Sequence, residues 1–286
     1  MGGDGAAMVA GVHKSRAVLS QWLRGTGIEI GGLHRPLQVS HADRVIYVDH
    51  LTREELRKVY SELADLDLVE VDVVGTAENL SAFDDASLDF VIANHLLEHL
   101  EYPVRALREF IRVLRPGGLI FMALPDKRVT FDRKRQLTTT EHLVQEERMQ
   151  SAEQTRWDHF MDWAIGVDGS APGPEAEGRA QHLLDIHYSI HMHVWTPDSF
   201  LDFLTAARAE FRLDLHLLAF STPQEPGDDE FLVLLGTGTS DEPRLAQIAP
   251  IGPLPRPPTL RMRLAASPIG PVVRNARRLL KRRPGT

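Results

Sequence analysis

Short apolar runs recur through the first half of the chain, each bounded by glycine or charge. They are Gly27-Ile28-Glu29-Ile30-Gly31, Arg44-Val45-Ile46-Tyr47-Val48-Asp49, Leu68 to Val74, Leu88-Asp89-Phe90-Val91-Ile92-Ala93 and Leu119-Ile120-Phe121-Met122-Ala123-Leu124. Near-continuous runs of this kind predict strands buried on both faces, as in a parallel sheet. Between most of them the apolar spacing becomes helical. Thr52-x-x-Glu55 is a capping box followed by Leu56, Val59, Tyr60 and Leu63. A second helix starts at Pro103, carries Val104, Leu107, Ile111 and Leu114 as one stripe, and stops at Arg115-Pro116-Gly117-Gly118. Strand–helix alternation predicts a doubly wound α/β sheet.

The alternation ends near Lys127. From there to Trp195 the chain is polar and rich in charge and histidine, with a loop expected at Ala171-Pro172-Gly173-Pro174. A capped helix follows from Thr196, then two strands, Leu213 to Phe220 and Phe231 to Gly236. The gap between those strands is too short for a helical crossover, so they are expected to pair antiparallel. The sum is a seven-stranded sheet of five parallel strands and an antiparallel closing pair. Residues 1–240 are expected to form one domain, with 127–195 as a helical insertion, and 241–286 a Pro-rich linker and basic tail.

Composition narrows the class. The 286 residues are 43% hydrophobic and 25% charged, ordinary globular material. The chain has no cysteine, which excludes disulfides and thiolate metal sites. No apolar run approaches membrane-spanning length, so a soluble, cytoplasmic protein is expected. The net charge of −8 hides an asymmetry, because all residues from Pro250 onward are basic or uncharged. The acidic body argues against nucleic-acid binding. In the tail, Val272, Val273, Ala276, Leu279 and Leu280 fall at helical spacing among basic residues. Such a helix suits weak peripheral contact with an anionic membrane, or an acidic partner or glycan; the plain alternative is a disordered solubilising end.

Three stretches carry candidate chemistry. Gly27 to Gly32 ends the first strand in a glycine turn that permits close ligand approach. Asp49 ends the second strand with a carboxylate placed to accept ribose hydroxyls. His95-x-x-Glu98-His99 has the spacing of a zinc-hydrolase signature, although the strand just before it points to another role. Six of the thirteen histidines fall in the insertion: His142, His159, His182, His187, His191 and His193.

Taken in order, G-I-E-I-G-G, Y-V-D-H, G-T-A-E-N-L, D-F-V-I-A-N-H-L-L-E-H-L and L-R-P-G-G-L-I-F-M-A-L-P-D resemble class I S-adenosylmethionine-dependent methyltransferases over about residues 20–240. The resemblance implies a Rossmann-like methyltransferase fold binding S-adenosyl-L-methionine. It places Glu29, Gly31 and Gly32 against the methionine part, Asp49 at the ribose, Thr76, Ala77 and Glu78 around the adenine, and Asn94 and His95 beside the sulfonium. The family's third glycine and the helix after it are missing here; Leu33-His34-Arg35-Pro36-Leu37 leads almost directly to the second strand. Some hydroxyl-directed methyltransferases hold a divalent ion with a glutamate–histidine cluster, which would be Glu98 and His99 with Mg2+ or another divalent cation; the plain alternative is a structural role for both. The stretch from Leu124 to Arg135, with G-I-E-I-G-G-L-H-R-P-L, is similar to bacterial methyltransferases of polysaccharide biosynthesis, implying a sugar or oligosaccharide hydroxyl as acceptor. A hydroxyl must lose its proton, so a base is expected. His142, at a capped helix start, is the first candidate and Asp126 the second. The alternatives are a small-molecule metabolite or quinone-type acceptor, an NAD-dependent oxidoreductase, or a non-catalytic cofactor-binding protein. The absence of G-x-G-x-x-G and the closing strand pair argue against the oxidoreductase.

Overall fold

The structure is a computed structural model that describes residues 10–60, 64–150, 153–223, 228–238 and 246–247. The basic tail and its expected amphipathic helix lie outside these residues.

All seven expected strands form: β1 (Gly25–Ile30), β2 (Ala42–Asp49), β3 (Val73–Val74), β4 (Leu88–Asn94), β5 (Leu114–Pro125), β6 (Leu215–Ser221) and β7 (Glu230–Thr237). They lie in the order β3-β2-β1-β4-β5-β7-β6. The first five run parallel; β7 inserts antiparallel between β5 and β6. A two-residue strand, β8 (Ala246–Gln247), adds parallel to β6 where the sequence reads as linker. β3 is much shorter than the Leu68–Val74 run. Leu68 leaves the sheet to pack with Leu56, and Val69 N–H donates to the Leu33 carbonyl, so this segment closes over the loop that replaces the missing helix.

The helices are α1 (Ala10–Ser20), α2 (Arg53–Val59), α3 (Pro103–Val113), α4 (Thr140–Met149), α5 (Glu153–Trp163), α6 (Pro174–Asp185) and α7 (Pro197–Phe211). The Thr52–Glu55 capping box forms at α2, and Thr196 caps α7.

The two-sided burial expected of parallel strands is met by alternation. In β4, Val91 and Ala93 join the larger core under α3 (Val104, Leu107, Phe110) and α7 (Phe200, Phe203). Phe90 and Ile92 face the other side with Leu19 and Leu23. The insertion has a small core of its own, with Phe160, Trp163, Ala176 and Leu183. Gly27 is required where β1 crosses β4, because a Cβ there would stand 2.3 Å from the Phe90 ring and 2.4 Å from its carbonyl oxygen. No helix among the described residues is long and apolar enough to cross a membrane.

Candidate active site

The carboxyl ends of β1, β2 and β4 meet along one edge of the sheet, where open α/β folds bind ligands. Parallel register brings Ile30 beside Val48 and Ala93, so the residues just beyond, Gly31, Asp49 and Asn94, share that rim. Gly31 has φ +70°, and a Cβ added there would meet nothing within 4 Å. The strand therefore ends in a turn that only glycine adopts without strain and that leaves the space beside it open. Asp49 is buried, and its Oδ1 accepts from the backbone N–H of His50 at 2.8 Å and lies 2.7 Å from His50 Nδ1. Both side-chain atoms of Asn94, Oδ1 and Nδ2, are buried without a close hydrogen-bond partner among the described residues, although the amide lies near enough to the Glu29 carboxylate to lower its pKa. A buried amide left short of partners costs roughly 1–3 kcal/mol, which makes Asn94 a candidate ligand contact. An open glycine turn, a carboxylate and an unsatisfied amide on three adjacent strand ends fit an adenosine-containing ligand with a polar amino-acid tail.

Other expected contacts take a different form. Glu29 lies under the rim, 1% exposed, and both its oxygens accept from Leu37 N–H at 2.9 and 3.0 Å. It holds the Leu33–Leu37 loop against the strand. Burial pushes its carboxyl up to about 7, against the pull of the Leu37 bond and of Arg16. Thr76 bridges Asn79, Ala77 packs into the larger core, and Glu78 accepts from the N–H of Tyr102 at 3.0 Å at the start of α3. Gly32 sits against the Tyr47 ring.

At positions i, i+3 and i+4, His95, Glu98 and His99 would share one face of a regular helix. The structure differs. His95 has φ +49°, which breaks the helix before it starts, and only Leu97–His99 forms a 3-10 turn. His95 Nε2 instead meets Glu230 Oε2 of β7 at 2.7 Å, with Glu98 Oε1 3.5 Å from its Nδ1. Glu230 also takes a bidentate fork from Arg16 of α1, at 2.7 and 2.6 Å. Burial would lower His95, but the bonds and charges of Glu230 and Glu98 outweigh it and push its pKa up to about 10. Burial would raise Glu230; Arg16 and His95 hold it down to about 2. Arg16 and Glu230 were not among the sequence candidates. The signal present was a glutamate opening the otherwise apolar β7.

Glu98 and His99 group with His191 rather than with His95. Glu98 is fully buried; its Oε1 has only the long 3.5 Å contact with His95 Nδ1, and its other carboxylate oxygen meets no hydrogen-bond donor among the described residues. His99 Nδ1 lies 2.9 Å from the Ile190 carbonyl oxygen, which can only accept, so Nδ1 carries the proton and Nε2 keeps its lone pair. His191 Nδ1 is 2.7 Å from Asp132 Oδ2, and Asp132 is held in turn by Arg135 at 2.9 Å. A carboxylate or carbonyl behind each imidazole is the outer support that metal-binding histidines have. Burial, then the nearby His191, pushes His99 down to about 4, so it is neutral near pH 7.

The two expected catalytic residues have separate surroundings. His142 is fixed at the start of α4 as foreseen, with Thr139 capping that helix. Its Nε2, however, faces Glu146 Oε1 at 3.1 Å and His159 Nε2 at 3.3 Å, not the rim of the sheet. Asp126 is fully buried, with Arg128 N, Nε and Nη2 donating to its two oxygens. That fork spends most of the acceptor capacity a base would need.

Residues 25–122 match the family described as a methyltransferase domain. That segment contains β1, β2, β3 and β4, all three rim residues and the Glu98–His99 turn. Among curated proteins, the chain is 35% identical over 102 residues to an uncharacterized 37.1 kDa protein in transposon TN4556 of Streptomyces fradiae, covering 36% of this chain and 28% of that one. It is 41% identical over 49 residues to the thiol S-methyltransferase TMT1B of Mus musculus, covering 17% and 20%. The chain thus spans less than a third of the length of the curated relatives it matches. Similar solved structures include N-methyltransferase NodS from Bradyrhizobium japonicum with S-adenosyl-L-homocysteine, at TM-score 0.43 and 13% identity, covering 82% of this chain and 89% of that one. Another is a SAM-dependent methyltransferase from Methanosarcina mazei, at TM-score 0.40 and 18% identity, covering 75% and 93%.

Proposed function

We propose that this protein is an S-adenosylmethionine-dependent methyltransferase whose acceptor is a hydroxyl, of a sugar or oligosaccharide. The observation that carries the reading is the meeting of Gly31, Asp49 and Asn94 on three adjacent strand ends, inside the segment that matches the methyltransferase family. The cofactor supplies a methyl group activated by a sulfonium. The chain's own work is then mainly positional, because in-line displacement depends on alignment. Gly31 admits the ligand beside the strand end, the uncommitted Oδ2 of Asp49 accepts from ribose hydroxyls, and Asn94 offers a donor and an acceptor between ligand and acceptor side.

A hydroxyl acceptor also needs help losing its proton. His95, held protonated by Glu230 and Glu98, can donate a proton but not take one near neutral pH. Glu98, His99 and His191 have the donor set for a divalent cation, and its chemistry there would be to acidify the hydroxyl. Two imidazoles and one carboxylate suit Zn2+ or Mn2+ better than Mg2+, which favours six oxygens. His142 and Asp126 have weaker support as bases, since Glu146 and Arg128 engage them.

The test is methyl transfer from labelled S-adenosylmethionine to a panel of glycosides, quinols, other small metabolites and thiols, with and without EDTA. Transfer to glycosides, slowed by EDTA and restored by Zn2+ or Mn2+, is expected. Faster transfer to a quinol or thiol would remove the sugar assignment, and EDTA-insensitive turnover would remove the metal.

A further inference from the structure

A second cluster of titratable side chains is distinct from the Glu98–His99–His191 group, although the His193 backbone N–H donates to the Glu98 carbonyl at 3.1 Å. His142 and Glu146 stand one turn apart on α4, His159 comes from α5, and His193 from the segment leading into α7. Their ligand atoms all lie within 4.8 Å of one another. His142 Nε2 and His159 Nε2 are 3.3 Å apart. Glu146 Oε1 is 3.1 Å from His142 Nε2 and 2.9 Å from His159 Nε2, and Glu146 Oε2 is 3.5 Å from His193 Nε2. Four donors at about 2.0–2.1 Å from a tetrahedral ion are about 3.3–3.4 Å from each other. The four separations given, 2.9–3.5 Å, lie around that edge, and the whole set is within 4.8 Å.

Hydrogen bonding explains only part of it, since Thr155 and the His142 and His159 rings supply bonds to Glu146 while other atoms of the group stay unmet. The ring nitrogens of His142 and His159 crowd the same oxygen of Glu146. Glu146 Oε2 and His193 Nε2 are buried and have no hydrogen-bond partner among the described residues. His193 is fully buried, in edge contact with the His159 ring at a 5.1 Å centroid distance and the His142 ring at 6.0 Å. Three imidazoles turned inward by the same nitrogen onto one carboxylate leave lone pairs unsatisfied, which a cation would meet.

We propose that His142, Glu146, His159 and His193 form a four-ligand zinc site that cross-links α4, α5 and the segment entering α7. The set is all imidazole and carboxylate, which a Zn2+ ion accepts and a Mg2+ ion does not favour. Four protein ligands close the coordination, so the role is structural. Its place in the fold gives it a purpose. α4 is anchored in the larger core through Leu143, whereas α5 belongs to the insertion's own small core through Phe160 and Trp163. An ion here ties the insertion to the sheet domain. The side chain of His142 is 33% exposed, which supplies an entry path. The site does not depend on the methyltransferase reading.

The test uses the full chain, stripped with chelator and dialysed, then titrated with ZnCl2 in a calorimeter and with CoCl2 in a visible spectrometer. A His99→Ala background removes the Glu98–His99–His191 group from the count. In that background one Zn2+ per chain is expected, with the intense visible absorption of tetrahedral Co2+ and a raised Tm. Loss of a directly coordinating ligand should cost more than the 10- to 100-fold typical of an outer-shell partner, so His142→Ala and His159→Ala should each weaken Zn2+ binding by more than about 100-fold. His142 is partly exposed, so its variant tests the site even if His159→Ala does not fold. Zinc binding that survives both substitutions, or that disappears with His99→Ala alone, would overturn the proposal. So would octahedral Co2+ absorption.

Discussion

Glu230→Gln should transform the behaviour of His95. In the native chain Glu230 meets His95 Nε2 at 2.7 Å and Arg16 through two bonds, while Glu98 stands farther off, at 3.5 Å. His95 is pushed up to about 10 from an ordinary value near 6.5. At about 1.36 kcal/mol per unit, the network contributes on the order of 4–5 kcal/mol through this group. The sign follows from proton uptake. The folded state binds the proton more tightly, so the contribution is complete below about pH 6.5 and is lost as pH rises through 10. Glu230, held down to about 2, works the opposite way: its share is present above about pH 4.5 and is lost on acidification toward 2. With glutamine at 230 the imidazolium keeps only the more distant Glu98 and the charge of Asp229, and Arg16 loses its bidentate carboxylate, a change worth about 3–5 kcal/mol for a buried pair. The two costs overlap because the three groups form one network. The assay is urea denaturation of both proteins at several pH values from 6 to 10, with NMR titration of the His95 ring assigned through His95→Gln. The wild type should lose stability steadily above pH 6.5, and the variant should start lower and change little. A native His95 that titrates near 6.5, or parallel stability curves for the two proteins, would refute the reasoning.

Two further substitutions test how the rim is built. Gly27→Ala should destabilise the fold by about 3 kcal/mol or more, measured by thermal or denaturant unfolding, because the new Cβ meets the Phe90 backbone and ring; a neutral result would contradict the β1–β4 packing. Glu29→Gln should stabilise the protein at pH 8 by up to about 3 kcal/mol, because a carboxyl raised to about 7 costs folding energy that grows from pH 4.5 to 7 and then stays constant. A stability difference between wild type and Glu29→Gln that stays constant from pH 4.5 to 7 would contradict the buried placement.

Much of the sheet was readable in the chain because strands buried on both faces must be apolar almost throughout, as in Leu88 to Ala93. Leu68 to Val74 misled for a physical reason: Leu68 finds its apolar contact in Leu56, so only Val73 and Val74 need the sheet. The H-x-x-E-H motif was visible, but helical geometry was the wrong premise. The left-handed backbone of His95 frees its ring from the face that Glu98 and His99 keep, and the third member of their group, His191, lies 92 residues after His99. The Arg16–Glu230 pair joins residues 214 apart, beyond any local pattern. By contrast, His142-x-x-x-Glu146 has the helical spacing of a ligand pair, a signal that was present in the sequence.

The central claim is that the rim binds an adenosine-containing cofactor through Asp49, and calorimetric titration with S-adenosylhomocysteine tests it most directly. Oδ1 of Asp49 is occupied by His50, so removal of the side chain takes away one or two charge-assisted bonds to the ribose, each worth roughly 1.5–3 kcal/mol. The account predicts binding by the wild type, none of comparable strength for NAD, and affinity lowered at least 10- to 150-fold in Asp49→Ala with the fold retained. A folded variant that binds S-adenosylhomocysteine as tightly as the wild type, or a wild type that prefers NAD, would contradict it.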